Sequence, residues 1–253
     1  MNGPEAFAQH LADEGYHPRS NKHGNFLCRA ILEDIIAHCP AFAKRARAGE
    51  IVAKLNGSLQ VGPKRRNVDL LVGPPPGFAV PPSDGSIQMD VPATVELALE
   101  AKALMTEHLK ARHNRLGDLE AVHETVHRYD ENTIAVGVVT VNVSEVFFSQ
   151  TRGKIHSHKN ITQVGKKTVD LFRTLPLRHH PATQPGFEAV SVIVVDFDNL
   201  AQAPADAPAP RRPTLIHNTP APPPGDPLHY ATMIRRICKA YETRWAVSKA
   251  HSS

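Results

Sequence analysis

Hydrophobic residues recur at helical spacing in five stretches of the chain. The spacing predicts helices over Asn21–His38, from Pro40 toward Leu55, over about Glu107–Arg128, over Ile161–Leu175, and from Asp226-Pro227 to about Trp245. In the last of these, Asp226 is expected to cap the helix and Pro227 to occupy its first position. The helices therefore cover both ends of the chain and two central segments.

Extended patterns separate these helices. Short strands are predicted at Leu59–Val61 and Asn67–Val72, on either side of a turn at 62–66, and a long alternating strand is predicted at Ala93–Met105. The β-branched runs Thr133–Val143 and Ala189–Val195 are typical of strands that are covered on both faces. The sequence thus predicts three strands before the helix at Glu107–Arg128, one strand after that helix, and one strand after the helix at Ile161–Leu175.

This order, α-β-β-β-α-β plus a C-terminal helix, predicts an α/β fold with a mixed central sheet flanked by helices. Residues 1–202 are expected to form one domain. Residues 203–227 are rich in proline and predict an extended strap or linker. Residues 228–253 are expected to supply a helix that packs back on the domain, followed by a short tail.

Composition narrows the class of protein. The 253 residues are 41% hydrophobic and 21% charged, which excludes a fully disordered chain. The longest apolar run, Thr133–Val143, is too short to span a bilayer, and the first residues do not resemble a secretory signal. Cys28, Cys39 and Cys238 form no Cys-x-x-Cys pair, which is typical of a protein in the reducing cytosol. We therefore expect a cytoplasmic protein, and the short apolar runs predict no membrane partner. A formal net charge of +4 permits a nucleic-acid partner.

Three charged residues on predicted strands are candidates for catalysis. Asp69 lies within an apolar strand, where a carboxylate needs a partner. Glu100 and Lys102 are two residues apart on the long strand, so their side chains emerge on one face, which Glu96 shares. If the two strands are neighbours, Asp69, Glu100 and Lys102 converge. Two carboxylates in one place suit a hard cation such as Mg²⁺.

The Asp69 strand followed by Glu100-Ala101-Lys102 resembles the PD-(D/E)XK nuclease superfamily, to which many restriction endonucleases belong. The resemblance implies a restriction-endonuclease-like fold and Mg²⁺-dependent cleavage of DNA, with Mn²⁺ as a substitute metal. Asp69 and Glu100 would be the metal ligands and Lys102 would lie beside the attacking water. Val68 stands where the family usually has proline. A further glutamate often comes from the leading helix, and Glu33 and Glu50 are both candidates.

Basic residues follow the candidate catalytic strand. Lys110, Arg112 and Arg115 are expected to contact DNA phosphates near the scissile bond. Cutting both strands of a duplex usually needs two sites, which favours a homodimer. A role in host defence, as a restriction-type enzyme, follows from the family analogy.

Two other functions remain open at this level. His123-Glu124-Thr125-Val126-His127 matches the H-E-x-x-H pattern of zinc hydrolases, in which the histidines bind zinc and the glutamate activates water. The longer zinc-protease pattern is absent, because Asp130 and Thr133 occupy its glycine and third histidine positions. The other alternative is a nucleic-acid-binding protein without catalytic activity.

Overall fold

A mixed sheet between two layers of helices forms the protein. The computed structural model describes residues 2–77, 80, 82–106, 108–181 and 185–246, without the side chains of 108–110 and 246. Over these residues seven strands form the main sheet and six α-helices flank it, which confirms the predicted α/β class. The helices are α1 (Gly3–Glu14), α2 (Lys22–His38), α3 (Pro40–Arg47), α4 (His108–Tyr129), α5 (Ile161–Phe172) and α6 (Tyr230–Tyr241).

The strands of the main sheet run in both directions. They are β1 (Val52–Val61), β2 (Lys64–Gly73), β3 (Gln88–Met89), β4 (Leu97–Leu104), β5 (Ile134–Asn142), β8 (Ala189–Asp196) and β9 (Thr214–Leu215), and a separate hairpin contains β6 (Val146–Ser149) and β7 (Lys154–Ser157). Their order is β3-β1-β2-β4-β5-β8-β9. The pairs β4–β5 and β5–β8 are parallel, whereas β1–β2 and β2–β4 are antiparallel.

Apolar side chains fill both faces of this sheet. On one face the core is built with α1, α2, α3 and α6, and on the other it is built with α4 and α5. Every residue of β5 is buried, as expected for a central parallel strand covered on both sides. None of the described helices is long and apolar enough to cross a membrane.

The helix that begins at Pro40 ends much earlier than its apolar spacing predicts. It stops at Arg47 instead of continuing toward Leu55. The amides of Gly49 and Glu50 donate to carbonyls of the last turn, and Gly49 has a φ of 68°, a left-handed conformation that glycine adopts without steric cost. The chain is therefore free to enter β1 at Val52.

Other predicted boundaries also need correction. The strand predicted from Ala93 begins only at Leu97, and the turn in the first hairpin shrinks to two residues because β1 and β2 are both longer than predicted. The helix predicted from Asp226 begins at Tyr230, and Asp226 instead accepts a hydrogen bond from the Leu228 amide. Helix α5 ends at Phe172, three residues before its predicted end.

The proline-rich strap lies against an edge of the sheet. Thr214–Leu215 within it pairs with β8, and the Ile216 amide donates to the Val194 carbonyl at 2.9 Å. Helix α6 follows and packs on the domain, burying Met233 and Ile237 in the core that α1–α3 cover. The sequence interpretation missed α1 and the β6–β7 hairpin altogether.

Candidate active site

Strands β2 and β4 are neighbours in the sheet, but they separate at the position of the predicted site. Their pairing runs from Val72 opposite Leu97 to Leu70 opposite Leu99 and ends there. Beyond that point the Asp69 carboxylate accepts a hydrogen bond of 2.8 Å from the Ala101 amide. The side chain thus supplies the acceptor that a continued strand pairing would have given. This explains how an apolar strand accommodates a partly buried carboxylate.

A change of side-chain phase in β2 turns Asp69 toward β4. Val68 and Leu70 are two residues apart, yet they pack into cores on opposite faces of the sheet. The register of β1 with β2 skips Asn56 and Asp69, and Asn56 has a φ of 51°. A regular strand keeps such residues on one face, so the alternation is broken at this point. The break lets the Asp69 side chain reach along the sheet instead of away from it.

Glu100 and Lys102 meet as their spacing predicts. The Lys102 ammonium donates a short hydrogen bond to Oε1 of Glu100. Glu100 is only 5% exposed, and its other carboxylate oxygen, Oε2, is buried without a hydrogen-bond partner among the described residues. A buried acceptor without a partner is unfavourable, and it is a feature that a bound cation or water would satisfy.

The pKa values of both carboxyl groups are raised. Burial raises the pKa of Glu100, the negative charge of Asp69 raises it further, and Lys102 opposes both. Burial also raises the pKa of Asp69, while the Ala101 amide and Lys102 lower it. Lys102 therefore acts on both carboxyl groups, and Asp69 acts on Glu100. A divalent cation would stabilise the negative charge of both carboxylates and so oppose the effect of burial.

A cleft of about 230 Å³ opens beside these residues. The polar side chains that line it include Tyr16, His23, Asp69, Lys102, Arg115 and Thr140, which come from five different parts of the chain. Glu100 does not line the cleft, but Lys102, which donates a hydrogen bond to it, does. The Thr140 hydroxyl is buried without a hydrogen-bond partner among the described residues. The cleft therefore presents an acid, two cations and a hydroxyl to a ligand.

The other acidic candidates lie elsewhere. Glu33 is on the exposed face of α2, and Glu50 forms an ion pair with Arg45 at 3.3 Å. Glu96, expected to share a face with Glu100, accepts two hydrogen bonds from Arg45 and one from Tyr241. These three glutamates do not line the cleft. Of the acids considered from the sequence, only Asp69 and Glu100 come together.

The three predicted DNA-contacting residues have different positions. Arg115 lines the cleft, and it also forms an ion pair of 2.9 Å with Asp118. Arg112 is partly buried on α4, and the side chain of Lys110 lies outside the described residues. Of the two whose side chains are described, Arg115 is the one that lines the cleft.

The two histidines of the H-E-x-x-H segment lie on the buried side of α4. His123 is 3% exposed and stacks edge-on against Phe187, and burial lowers its pKa to about 4. His127 approaches Glu188 at 3.5 Å. Glu124, which would activate water in a zinc hydrolase, has a side chain that is 55% exposed and lies 3.9 Å from Arg128. The glutamate and the two histidines therefore have different surroundings.

Within the described part of the chain, no group of three or more His, Cys, Asp and Glu side chains is placed to hold a metal ion. This applies to the two histidines of α4 as well as to the Asp69–Glu100 pair. Mg²⁺ nevertheless commonly uses one or two carboxylates and completes its six positions with waters and phosphate oxygens. The two acids with the unpartnered Glu100 oxygen fit that mode of binding.

No family model, curated protein or solved structure matches this chain. The assignment of a function therefore depends on the residues and their arrangement.

Several residues of the cleft could not be found from the sequence pattern. Tyr16 lies in the connection between α1 and α2, His23 lies at the start of α2, and their rings stack with centroids 4.8 Å apart. Thr140 is one polar residue in the β-branched run of β5, which was the only signal for it. Their proximity to Asp69 depends on tertiary packing alone.

Proposed function

We propose that the protein is a Mg²⁺-dependent endonuclease that hydrolyses DNA phosphodiester bonds. The observation that carries the proposal is the convergence of Asp69, Glu100 and Lys102 where β2 and β4 separate, beside an open cleft. The resemblance of these residues to the PD-(D/E)XK superfamily, and the mixed α/β sheet, support it.

Asp69 and Glu100 are the residues that would hold the metal. Each offers carboxylate oxygens from a separate strand, and oxygen is the ligand that Mg²⁺ prefers. When bound, the metal would polarise a phosphoryl oxygen and stabilise the negative charge that develops during attack. The burial of Glu100 fixes its carboxylate in place before the metal arrives.

Lys102 and Arg115 act on the reacting groups. Lys102 lines the cleft and holds the attacking water by donating a hydrogen bond to it. As the water oxygen bonds to phosphorus it gives up a proton to solvent, the bond between phosphorus and the leaving sugar oxygen breaks, and that oxygen takes up a proton. Arg115, on the cleft wall, pairs with a phosphate and positions the strand.

A homodimer that cuts both strands is part of the proposal, because one cleft provides one set of acids and each strand of a duplex must be cut. The restriction-type defence role is proposed by analogy alone.

The test of this function is the nicking of supercoiled plasmid DNA by the purified protein. We expect open-circular and linear DNA to form with Mg²⁺ or Mn²⁺ and not with EDTA. Single-stranded RNA and a casein substrate with Zn²⁺ are assayed in parallel. Salt-dependent DNA binding without cleavage under any metal would indicate a binding protein. Casein hydrolysis with Zn²⁺ would favour the α4 histidines.

The raised carboxyl pKa values predict the pH dependence of nicking. Both Asp69 and Glu100 take up protons at a higher pH than ordinary carboxyl groups do, and a protonated carboxyl binds Mg²⁺ poorly. When the pH is lowered at subsaturating Mg²⁺, the rate of nicking should therefore begin to fall at a pH above about 4, the value near which an ordinary carboxyl group titrates. Initial rates between about pH 4 and about pH 9, at several Mg²⁺ concentrations, measure this limb. A rate that stays constant down to about pH 4 would contradict the assignment of these acids.

A further inference from the structure

A second cavity lies at the opposite end of the parallel strands from the candidate active site. Its volume is about 710 Å³, and Asn132 and Glu188, which come just before β5 and β8, form part of its wall. Thr140 of the cleft lies six residues beyond the start of β5, which corresponds to roughly 20 Å along the strand. The cavity is therefore separate from the cleft that holds Asp69 and Lys102.

Positive charge dominates the cavity. Its charged lining consists of Arg178, Arg236, Lys239 and Arg244 against Glu131 and Glu188, with two histidines beside them. Glu188 is fully engaged, because it pairs with Arg178 at 2.5 Å and Arg244 at 2.8 Å and accepts the Ala135 amide at 2.7 Å. These contacts occupy the Glu188 carboxylate with Arg178 and Arg244, and it forms no ion pair with Arg236 or Lys239 among the described residues.

Arg236 and Lys239 have no ion pair among the described residues. The Arg236 guanidinium donates to the Glu188 and Arg178 carbonyls at 2.7 and 3.3 Å, which uses two of its five N–H groups. Burial lowers the pKa of Arg236, since its positive charge is partly removed from water. Lys239, one helical turn further along α6, is exposed at the cavity wall. Both cations have donors available for an anion.

We infer that this cavity binds a phosphate-bearing ligand through Arg236 and Lys239. A guanidinium offers paired donors that match two phosphate oxygens, and an ammonium adds a point charge. The Trp245 ring also lines the cavity, and its indole nitrogen is buried without a hydrogen-bond partner among the described residues. The indole can therefore donate to an oxygen of the ligand. This inference does not depend on the nuclease function.

Trp245 provides the measurement, because it is the one tryptophan in the sequence. Its fluorescence is followed in the full-length protein during titration with inorganic phosphate, with ADP and with a short DNA duplex, at constant ionic strength set with chloride. We expect a saturable change with phosphate or ADP. If only the duplex produces the change, and the variants below weaken it, the phosphate source is the DNA backbone and the inference still holds.

Two variants assign the binding to this cavity. Lys239→Ala and Arg236→Gln are each expected to weaken binding about tenfold or more, since each removes charge-assisted hydrogen bonds. Lys167→Ala, which removes an exposed lysine from α5, is the matched control and should bind as wild type does. Lys239→Ala carries the test if Arg236→Gln proves unstable, because Lys239 is exposed. No saturable change with any of the three ligands, or equal affinity in wild type and Lys239→Ala, would overturn the inference.

Discussion

Replacing Glu100 with glutamine is expected to reduce the rate of plasmid nicking by at least about 100-fold. Changing a residue that only contacts a metal ligand typically reduces metal affinity or activity about 10- to 100-fold, and Glu100 would be a ligand itself. The amide keeps the size of the side chain but loses the charge that would bind Mg²⁺ and hold Lys102. Initial rates at saturating DNA, over a range of Mg²⁺ concentrations, measure the loss. Asp69→Asn should behave in the same way.

The same substitution should not destabilise the fold. The pKa of Glu100 is raised by burial and by the charge of Asp69, so the folded state binds a proton more tightly than the unfolded state. When the pH rises above the pKa that Glu100 has in the unfolded state and then through its higher pKa in the folded state, the free energy of unfolding therefore decreases. A neutral side chain is therefore expected to give an equal or higher melting temperature at neutral pH. A variant that melts lower and loses activity in proportion would indicate a structural role for Glu100.

Glu33→Gln is the matched control for this experiment. Glu33 lies on the exposed face of α2, away from the cleft, so the same chemical change should leave nicking unchanged. Equal losses in both variants would show that general charge, and not the pair with Asp69, determines the rate.

The second large effect concerns stability. Glu188→Ala should lower the free energy of unfolding by about 3–5 kcal/mol, which is the usual cost of removing one partner from a buried ion pair. Arg178 and Glu188 are each 2% exposed, so the guanidinium would remain buried without its carboxylate. The Ala135 amide would lose its acceptor as well. Urea unfolding followed by circular dichroism measures the change.

Asp170→Ala tests whether burial is the cause. Asp170 forms ion pairs with Lys166 at 3.7 Å and Arg173 at 3.6 Å, but its side chain is half exposed. Exposed pairs typically contribute less than about 1 kcal/mol, so this variant should unfold close to wild type. Similar losses in both variants would contradict the buried-pair explanation.

Much of the fold follows from apolar periodicity. The regular spacing of Leu116, Leu119, Val122 and Val126 predicted α4, and the unbroken β-branched run predicted β5, because both elements bury whole faces. The α3–β1 boundary could not be placed, since Ala53 and Leu55 continue a helical spacing and only the conformation of Gly49 ends the helix. The helix α1 was missed even though Phe7, Ala8 and Leu11 have helical spacing and Asn2 and Glu5 form a capping box at its start.

The candidate site was predictable in part. The spacing of Glu100 and Lys102 was sufficient to place them together, and the neighbouring strands brought Asp69 to them. The spacing also placed Glu96 with them, which is wrong, because Glu96 precedes β4 and bonds to Arg45. The broken alternation at Asp69 has no signature in the hydrophobic pattern, so the direct contact between its carboxylate and the Ala101 amide could not be foreseen.

Helix α6 completes a core that residues near the other end of the sequence begin. Its Tyr241 hydroxyl accepts a hydrogen bond from Arg45, 196 positions away, and donates one to Glu96, 145 positions away. Contacts of such high sequence separation must close long loops before they contribute any energy, which raises contact order and slows folding. Until α6 has left the ribosome, the nascent chain would expose the apolar surface of α2 and α3. Such a chain would be a natural client for chaperones.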